Sequence, residues 1–355
     1  MRRDFELYQE IEFEYVILDE AQYIKNQKTK NAQSVKTLKT RHKLALTGTP
    51  IENSLAELWS IFDFLMPQYL FNYHYFQKQY ENDIVKNNDE EKTKQLKKLV
   101  TPFILRRNKK EVLTELPDKI EQNIILPFND EEEKLYVANL AEANKELQEL
   151  YDLEGSDKMQ ILKLLTRLRQ LCLEPRLVYD NIDQPSSKLK ACMELIKTMQ
   201  ENKQKVLLFS SFTSVLDLIA EECQKAGITY YMLTGSTNKE DRRELVSRFQ
   251  KDDTTVFLIS LKAGGTGLNL TSAEAVIHFD PWWNVSAQNQ ATDRAYRIGQ
   301  KNNVQVFNLV MKDSVEEKII ELQKRKKELA DMFVENNSGG LSQMSKEDIL
   351  SLFTM

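Results

Sequence analysis

Residues 188–335 alternate between two hydrophobic patterns, and this alternation restricts the possible folds more than any other feature of the chain. Stretches with helical periodicity alternate with short apolar runs, which is typical of a parallel sheet whose strands are joined by helices. The predicted strands are 206–209, 230–233, 256–259, 275–279 and 304–310, and the predicted helices are 188–202, 214–226, 239–250, 286–296 and 315–333. The pattern predicts an α/β fold with a doubly wound parallel sheet.

Polar residues and glycines follow four of these predicted strands. The four stretches are Ser210-Ser211-Phe212, Leu233-Thr-Gly-Ser-Thr237, Ser260-Leu-Lys-Ala-Gly-Gly-Thr-Gly-Leu-Asn269 and Asp280-Pro-Trp-Trp-Asn284. Ligands of open parallel sheets bind at the carboxyl ends of the strands, and glycines let the backbone approach them closely. These stretches therefore predict a phosphate-binding edge. For the two tryptophans, packing beneath a loop is the alternative.

Two arginines lie three positions apart in the stretch from Gln290 to Gln300. On a helix, Arg294 and Arg297 share one face. Guanidinium groups have the planar geometry that suits a phosphate, so the pair is a candidate phosphate-binding site. The alternative is a solvated face on which both arginines make surface ion pairs.

Near the start of the chain, an apolar run ends in two carboxylates. Residues 13–18 are predicted to form a buried strand, and Asp19 and Glu20 follow it. An Asp at this position can hold Mg²⁺, and an adjacent Glu can orient or deprotonate a water. The alternative is an ordinary turn after a strand. A second predicted strand, 44–46, leads into residues that suit contact with phosphate, water or a carboxylate: Thr47, Gly48 and Thr49.

Charge and cysteine content exclude several classes of protein. The net charge of -5 means that any nucleic-acid surface must be a local patch. The three cysteines are far apart and form no Cys-x-x-Cys pair, so we expect reduced core thiols rather than a zinc site. The N-terminus has no apolar h-region and no apolar run has membrane-spanning length, so we expect a cytoplasmic protein with no membrane partner, nucleoid-associated if bacterial.

Several of these stretches resemble motifs of the Swi/Snf-like family of ATP-dependent double-stranded DNA translocases. Residues 19–26, Asp-Glu-Ala-Gln-Tyr-Ile-Lys-Asn, resemble its Walker B element, and residues 46–54 resemble its coupling motif. The four stretches at 210–212, 233–237, 260–269 and 280–284 resemble its second-lobe motifs in order, and Asp-Arg-Ala-Tyr-Arg-Ile-Gly-Gln at 293–300 resembles the motif that follows them. Tyr296 stands where the family usually has His.

The resemblance implies a RecA-like architecture with four regions. They are a partial first ATP-binding lobe at 1–66, a helical insertion and inter-lobe link at 67–187, the second RecA-like lobe at 188–335 and a flexible tail at 336–355. The implied activity is ATP hydrolysis between the lobes that drives movement along duplex DNA. ATP and Mg²⁺ are the implied cofactors. Double-stranded DNA is the implied partner, together with a DNA-bound protein complex that the motor remodels.

The resemblance also implies roles for individual residues. Asp19 would hold Mg²⁺ through ATP, Glu20 would activate water, and Thr47, Gly48 and Thr49 would couple nucleotide to DNA. Arg294 and Arg297 would be arginine fingers on the γ-phosphate, with Gln290 orienting them. Gly265 and Gly267 would approach the nucleotide. The residues implied to contact DNA are Ser211, Ser236, Thr237, Lys262, Thr266 and Trp283.

One element that ATP hydrolysis needs is not found in this sequence. The phosphate cradle is Gly-x-x-x-x-Gly-Lys-Ser/Thr, and none of the ten glycines is followed by Lys. Only 18 residues precede Asp19, fewer than a βαβ unit requires. We therefore expect a chain that begins partway through the first lobe and does not hydrolyse ATP alone.

The incomplete first lobe leads to a structural expectation. Its two strands are apolar enough to be buried on both faces, while most of their sheet would be absent. Residues 1–66 are expected to be poorly ordered, or to pack on another copy of the chain.

Two other functions are kept as alternatives: a non-catalytic DNA- or partner-binding module, and the motor lobe of an RNA helicase or restriction enzyme.

Overall fold

A computed structural model describes residues 5–48, 55–87, 89–105, 107, 109–113, 115–152, 158–264 and 267–331. Thr49, Gly265, Thr266 and the predicted tail at 336–355 lie outside the described residues. The described residues form two compact units. The first comprises residues up to 107 with 283–286 and 323–331, and the second comprises 109–282 and 287–322.

The first unit contains a two-stranded parallel sheet and mostly short helices. The strands are β1 (Phe13–Leu18) and β2 (Thr40–Ala45). The helices are α1 (Phe5–Gln9), α2 (Lys30–Lys36), α3 (Leu55–Leu65), α4 (Tyr73–Phe76), α5 (Asn82–Asn87) and α6 (Glu90–Val100), with 3₁₀ turns at Ala21–Ile24 and Thr101–Phe103 and a π turn at Gln77–Glu81.

One face of this small sheet is covered and the other is not. Val16 and Leu18 pack on a cluster that includes Val35 of α2 and Phe64 of α3. On the opposite face the side chain of Tyr15 is 60% exposed and that of Ile17 is 55% exposed. One face of the small sheet is therefore left uncovered by the described residues of this chain. The expectation of poor order is wrong for the described part, because β1, β2 and α3 are defined elements that pack together; packing on another copy of the chain stays a prediction.

The second unit is built on a six-stranded sheet. Its strands are β3 (Lys119–Leu126), β4 (Val206–Ser210), β5 (Tyr230–Leu233), β6 (Val256–Ser260), β7 (Ala275–His278) and β8 (Val304–Met311). Its helices, two of which extend into the first unit's residues, are α7 (Lys109–Val112), α8 (Asp130–Asp152), α9 (Lys158–Leu173), α10 (Ser187–Glu201), α11 (Thr213–Lys225), α12 (Lys239–Lys251), α13 (Leu261–Gly264), α14 (Val285–Thr292) and α15 (Val315–Asp331), with a 3₁₀ turn at Pro175–Leu177.

All five pairings of this sheet are parallel, in the order β3-β8-β7-β4-β6-β5. β4 and β6 are buried along their whole length because helices cover both faces. Buried clusters on the two faces, around Ile219 and around Phe249, form the core. The predicted α/β fold with a doubly wound parallel sheet is confirmed.

The sheet takes one strand from residues that the sequence pattern places in the helical insertion. β3 pairs with β8 over eight residues and forms an edge of the sheet. Its central residues, Glu121, Gln122 and Asn123, are polar. An edge strand tolerates them because its outer side is not covered, and for the same reason the strand lacks the apolar run that identifies its neighbours.

All three cysteines lie in the core of the second unit and none forms a disulfide. Burial raises the pKa of each thiol. The predicted core thiols are thereby confirmed. No helix in the part of the chain that the structure describes is long and apolar enough to span a membrane.

Candidate nucleotide and nucleic-acid site

Four neighbouring strands bring the predicted site stretches to one edge of the large sheet. β7, β4, β6 and β5 are adjacent and parallel, and they end nearly level, since Ser210 pairs with Ser260 and Leu233 with Ile259. The segments that follow them begin at Phe279, Ser211, Leu261 and Thr234, and the one at Leu261 starts with the short helix α13. We call these four segments the carboxyl edge. The expectation that the predicted stretches meet there is confirmed.

The segment that carries the two arginines is not helical, so the predicted helix 286–296 is wrong at its end. α14 stops at Thr292, and residues 293–299 form successive turns. Ala295 and Tyr296 are both buried. Two consecutive buried residues flanked by two arginines that reach the surface do not fit one face of a helix. The sequence spacing therefore predicted the arginine pair but not its backbone.

Both arginines nevertheless turn toward the glycine-rich turn after β6. Arg294 Nε donates to the carbonyl oxygen of Gly264 at 3.1 Å, and Arg297 Nη1 donates to that of Leu268 at 3.3 Å. The backbone supports this arrangement, because the Leu270 N–H donates to the Arg294 carbonyl oxygen at 2.9 Å. Arg294 is half-buried and Arg297 is exposed. Gln290, the predicted orienting residue, is half-buried on α14, two residues before the helix ends.

The turns at the carboxyl edge keep space open near the backbone. A Cβ added at Gly264 would lie 2.8 Å from the Phe209 ring, so glycine is required for this close approach. Gly267 has φ +47 and nothing within 4 Å of an added Cβ. The Lys262 side chain is exposed between β6 and these glycines. A backbone that faces open space beside a cation can accommodate a phosphate group.

The turn after β5 presents hydroxyl groups in front of a capped helix. The Thr234 and Ser236 hydroxyl oxygens lie 2.8 Å apart, and Thr237 Oγ1 accepts the Thr234 N–H. Asn238 Oδ1 accepts the N–H groups of Glu240 and Asp241 at the start of α12. Asn238 thus caps α12, while DNA contact by Ser236 and Thr237 stays a prediction.

Ser211, a predicted DNA contact, has both of its donors engaged within the chain. Its N–H donates to Asp280 Oδ1 at 2.9 Å, and its hydroxyl donates to Asp280 Oδ2. Ser210 Oγ also donates to Asp280 Oδ1, at 2.7 Å. A serine hydroxyl has one proton to donate. Contact with a phosphate through that proton would therefore require release of the buried Asp280 carboxylate.

Arg169, a residue that sequence reasoning missed, completes this network. Its Nη2 lies 2.8 Å from Asp280 Oδ2 and 3.0 Å from Ser211 Oγ. Its guanidinium carbon lies 5.4 Å from the centre of the Trp282 ring. Of the two tryptophans, Trp282 therefore packs on Arg169, and Trp283, the predicted DNA contact, is half-buried. No local sequence pattern indicates that Arg169 pairs with a residue 111 positions away.

In the first unit, one glutamine joins the two predicted motifs. Gln22 Nε2 donates to Glu20 Oε2 at 2.5 Å, and Gln22 Oε1 accepts the Thr47 hydroxyl at 2.7 Å. Glu20 itself has φ +52, a conformation that non-glycine residues rarely adopt. Residues held in this conformation are enriched at active and ligand-binding sites, although four other described residues share it: Gln68, Phe71, Lys203 and Asp313. Sequence reasoning named Glu20 and Thr47 but did not single out Gln22, which lies within the same motif.

Asp19 has the exposure that a magnesium–nucleotide complex needs. Its side chain is exposed, and its Oδ1 accepts the Glu20 N–H at 2.9 Å. Protein-bound Mg²⁺ usually keeps several waters and phosphate oxygens and takes only one or two carboxylates. Asp19 therefore fits the chemistry of that group, and the glycine turn after β6 fits that of a phosphate.

His278, at the end of β7, positions α14 and has an unusual titration. Its Nε2 lies 2.9 Å from Thr292 Oγ1, the last residue of α14, and its ring stacks on Phe209. Burial lowers the pKa of His278 to about 4. The neutral imidazole is therefore the form that the fold requires, and proton uptake favours the unfolded chain.

We expect the unfolding free energy to fall by about 2 kcal/mol between about pH 7.5 and about pH 5, because His278 has its ordinary pKa of about 6.5 only when unfolded. Stability is complete above the unfolded pKa and is lost as pH falls toward the folded pKa. Urea unfolding at both pH values checks this. His278→Gln should remove most of the difference, while His42→Gln, at an exposed histidine, should retain it. An unchanged pH dependence in His278→Gln would contradict the assignment.

Comparisons with known proteins agree with this fold. The SNF2-related domain family matches residues 1–177, and the helicase conserved C-terminal domain family matches residues 187–299. The Sulfolobus solfataricus SWI2/SNF2 ATPase core in complex with dsDNA is 35% identical, with a TM-score of 0.56, and the match covers 99% of this chain and 75% of that one. The C-terminal part of the Fun30 ATPase domain is 26% identical, with a TM-score of 0.54.

Curated relatives are longer than this chain. An uncharacterized ATP-dependent helicase of Mycoplasma pneumoniae is 39% identical over 99% of this chain and 34% of its own length. A putative ATP-dependent helicase/translocase of Bacillus subtilis is 38% identical over 96% of this chain and 37% of its own length. The chain thus spans about a third of the length of these relatives.

The parallel sheet with its ligand-type turns at one edge defines the second unit as a RecA-like α/β lobe. With the family matches and the solved relatives, the particular family follows as well. The chain belongs to the SWI2/SNF2 family.

Proposed function

We propose that the chain is part of an ATP-driven motor that moves along double-stranded DNA. The observation that carries this proposal is the carboxyl edge, where four adjacent strands present hydroxyl groups, an exposed lysine and an open glycine turn together. Membership of the SWI2/SNF2 family supports it, as does the solved relative described as an ATPase core in complex with dsDNA.

Nucleotide chemistry is assigned to the arginine pair and, separately, to the carboxylates that follow β1. Arg294 and Arg297 would stabilise the charge on a transferring phosphoryl group, and their bonds to backbone carbonyl oxygens hold them ready for an anion. Asp19 would hold Mg²⁺. Glu20, oriented by Gln22, would position the attacking water. When bound, ATP supplies the phosphoryl group whose transfer to water releases the energy for movement.

DNA contact is assigned to the carboxyl edge. Lys262, Ser236, Thr237 and Thr266 would contact backbone phosphates, and Trp283 would lie against the duplex. Phosphate contacts carry no sequence information, so a motor that uses them can move along any sequence. Because both donors of Ser211 are engaged by Asp280, we assign Ser211 to the shape of the edge rather than to a direct phosphate contact.

The test of the nucleotide proposal is ATP turnover by the purified chain, with and without linear duplex DNA. None of its ten glycines precedes a lysine, and we propose on this ground that the phosphate cradle of the motor is not part of this chain. We expect no turnover in either condition. DNA-stimulated turnover that is lost in Arg294→Ala would show that other residues of this chain bind the phosphates.

For DNA, we expect the purified chain to bind duplexes of unrelated sequence with similar affinity, and binding should weaken as salt increases. Lys262→Gln should lower the salt slope of log K by about one, as expected for one lost phosphate contact. Fluorescence anisotropy with labelled duplexes at several salt concentrations measures both quantities. Lys225→Gln is the control, because Lys225 is an exposed lysine at the end of α11, at the opposite edge of the sheet. Equal slopes in the two variants would remove Lys262 from the interface.

A further inference from the structure

Arg169 lies where three separate parts of the second unit meet. It belongs to α9, on the face that carries the buried residues Leu165 and Cys172. The side chain of Arg169 is 7% exposed and that of its partner Asp280 is 1% exposed. The two residues are 111 positions apart in the sequence. A buried charge at this separation connects α9, which lies between β3 and β4 in the sequence, to the carboxyl edge.

The contacts of Arg169 are divided between the turns after β4 and β7. Beyond the Ser211 and Asp280 oxygens, Nη2 lies 3.3 Å from the Pro281 carbonyl oxygen. The guanidinium carbon lies 5.0 Å from the centre of the Phe212 ring, and the Trp282 ring lies on it as well. A planar guanidinium can stack on aromatic rings and donate in its own plane at the same time, which a lysine ammonium cannot do.

We propose that Arg169 is a positioning residue for DNA binding: it holds the Ser211–Phe212 turn and the Asp280–Trp282 turn to α9, and thereby sets the shape of the carboxyl edge. The inference rests on the proposed function for its DNA part. Arg169 does not itself contact a phosphate, because its guanidinium is enclosed by a carboxylate and two rings. Lys262, the proposed phosphate contact, follows β6, which pairs with β4, so the turn after β4 lies beside the segment that carries it.

The experiment compares Arg169→Lys, which keeps the charge, with Arg169→Met, which removes it. The matched control is Lys205→Met, at the amino end of β4 and therefore away from the carboxyl edge. Lys205 is also a largely buried cation: it donates to the carbonyl oxygens of Phe249 and Asp252 and lies over the Phe249 ring. It precedes β4 rather than following it, so its loss disturbs the unit without reaching the carboxyl edge.

The first measurement is amide hydrogen exchange of the chain without any ligand. We expect exchange at Ser211 and over residues 279–283 to become faster by more than about tenfold in both Arg169 variants, the factor that corresponds to one lost charge-assisted hydrogen bond. Lys205→Met should leave those amides unchanged and accelerate exchange near Phe249 instead. Unchanged exchange at Ser211 in both Arg169 variants would overturn the proposal, whatever the chain binds.

The second measurement is the affinity for duplex DNA at several salt concentrations. If Arg169 is a positioning residue, its replacement should weaken DNA binding by about tenfold. The salt slope should not change, since the number of phosphate contacts is unaltered. A slope lowered by about one in Arg169→Met would mean that Arg169 contacts phosphate, and the positioning role would be wrong. If the unaltered chain binds no duplex, the proposed function fails, while the exchange experiment still decides whether Arg169 holds the two turns.

Discussion

Replacing Lys188 by Met should lower the free energy of unfolding by about 3–5 kcal/mol, because it leaves a charged carboxylate buried without its partner. Lys188 Nζ lies 2.7 Å from both carboxylate oxygens of Glu316, and both side chains are 0% exposed. Glu316 also accepts the Met311 N–H at 2.9 Å. The pair joins the first turn of α10 to the first turn of α15.

Urea unfolding monitored by circular dichroism measures this effect, and a second variant tests its cause. Lys188→Met/Glu316→Gln removes both charges while an amide oxygen still accepts the Met311 N–H, so most of the lost stability should return. Lys225→Met, at an exposed lysine, should change the unfolding free energy by less than about 0.5 kcal/mol. A double variant as unstable as Lys188→Met would show that packing of the lysine, not its charge, is responsible.

The same pair predicts a pH dependence. Burial raises the pKa of the Glu316 carboxyl, and attraction to Lys188 opposes that rise. In Lys188→Met the opposing attraction is gone, so the carboxyl should take up a proton in the folded state at a higher pH. When the pKa of a carboxyl is raised in the folded state, the free energy of unfolding of the protein falls as pH rises through that folded pKa. The difference between Lys188→Met and the unaltered chain should therefore shrink as pH falls.

Arg294→Ala should lower kcat by a factor of about 10³–10⁵ in a motor that contains these residues, the range known for arginine fingers in phosphoryl transfer. The assay requires a polypeptide in which a segment bearing Gly-x-x-x-x-Gly-Lys-Ser/Thr is joined to this chain, and DNA-stimulated ATP turnover is measured. Arg294 is suited to the role because its guanidinium is half-buried and held at the glycine turn.

The matched control for Arg294 is Arg248→Ala, at an exposed arginine that pairs with Glu244 on α12. We expect it to change kcat by less than about twofold, since exposed ion pairs contribute little. If Arg294→Ala stays within about tenfold of the unaltered motor, the effect is too small for an arginine finger. Arg294 would then act only in the structure of the glycine turn. A rise in KM with kcat unchanged would instead assign Arg294 to nucleotide binding.

The fold class could be predicted from the sequence because burial leaves a local signature. Strands covered on both faces, such as β4 and β6, require continuous apolar runs. β1 was predicted from such a run, yet its Tyr15 and Ile17 face solvent in this chain. An apolar run indicates that a strand can be buried on both faces. It does not indicate whether the elements that would cover those faces are present.

The candidate site could be predicted in part. Its stretches lie at strand ends, which sequence patterns locate, so the carboxyl edge and the arginine pair were expected at the right positions. The backbone of residues 293–299 was not, because burial of both Ala295 and Tyr296 depends on what the segment packs against. The glutamine bridge between Glu20 and Thr47 was also missed, since a side-chain bond across two strand ends has no periodicity.

By itself, the sequence determined the alternating α/β order, the turns that carry ligand-type residues and the family. Each of these can be recognised from residues that are close together along the chain. The tertiary structure alone decided the partners of Arg169 and Lys188, which lie 111 and 128 positions away. A single arginine or lysine within a helix gives no indication that it will be buried. Only the packing of distant elements removes it from water, and a charge removed from water must then be paired.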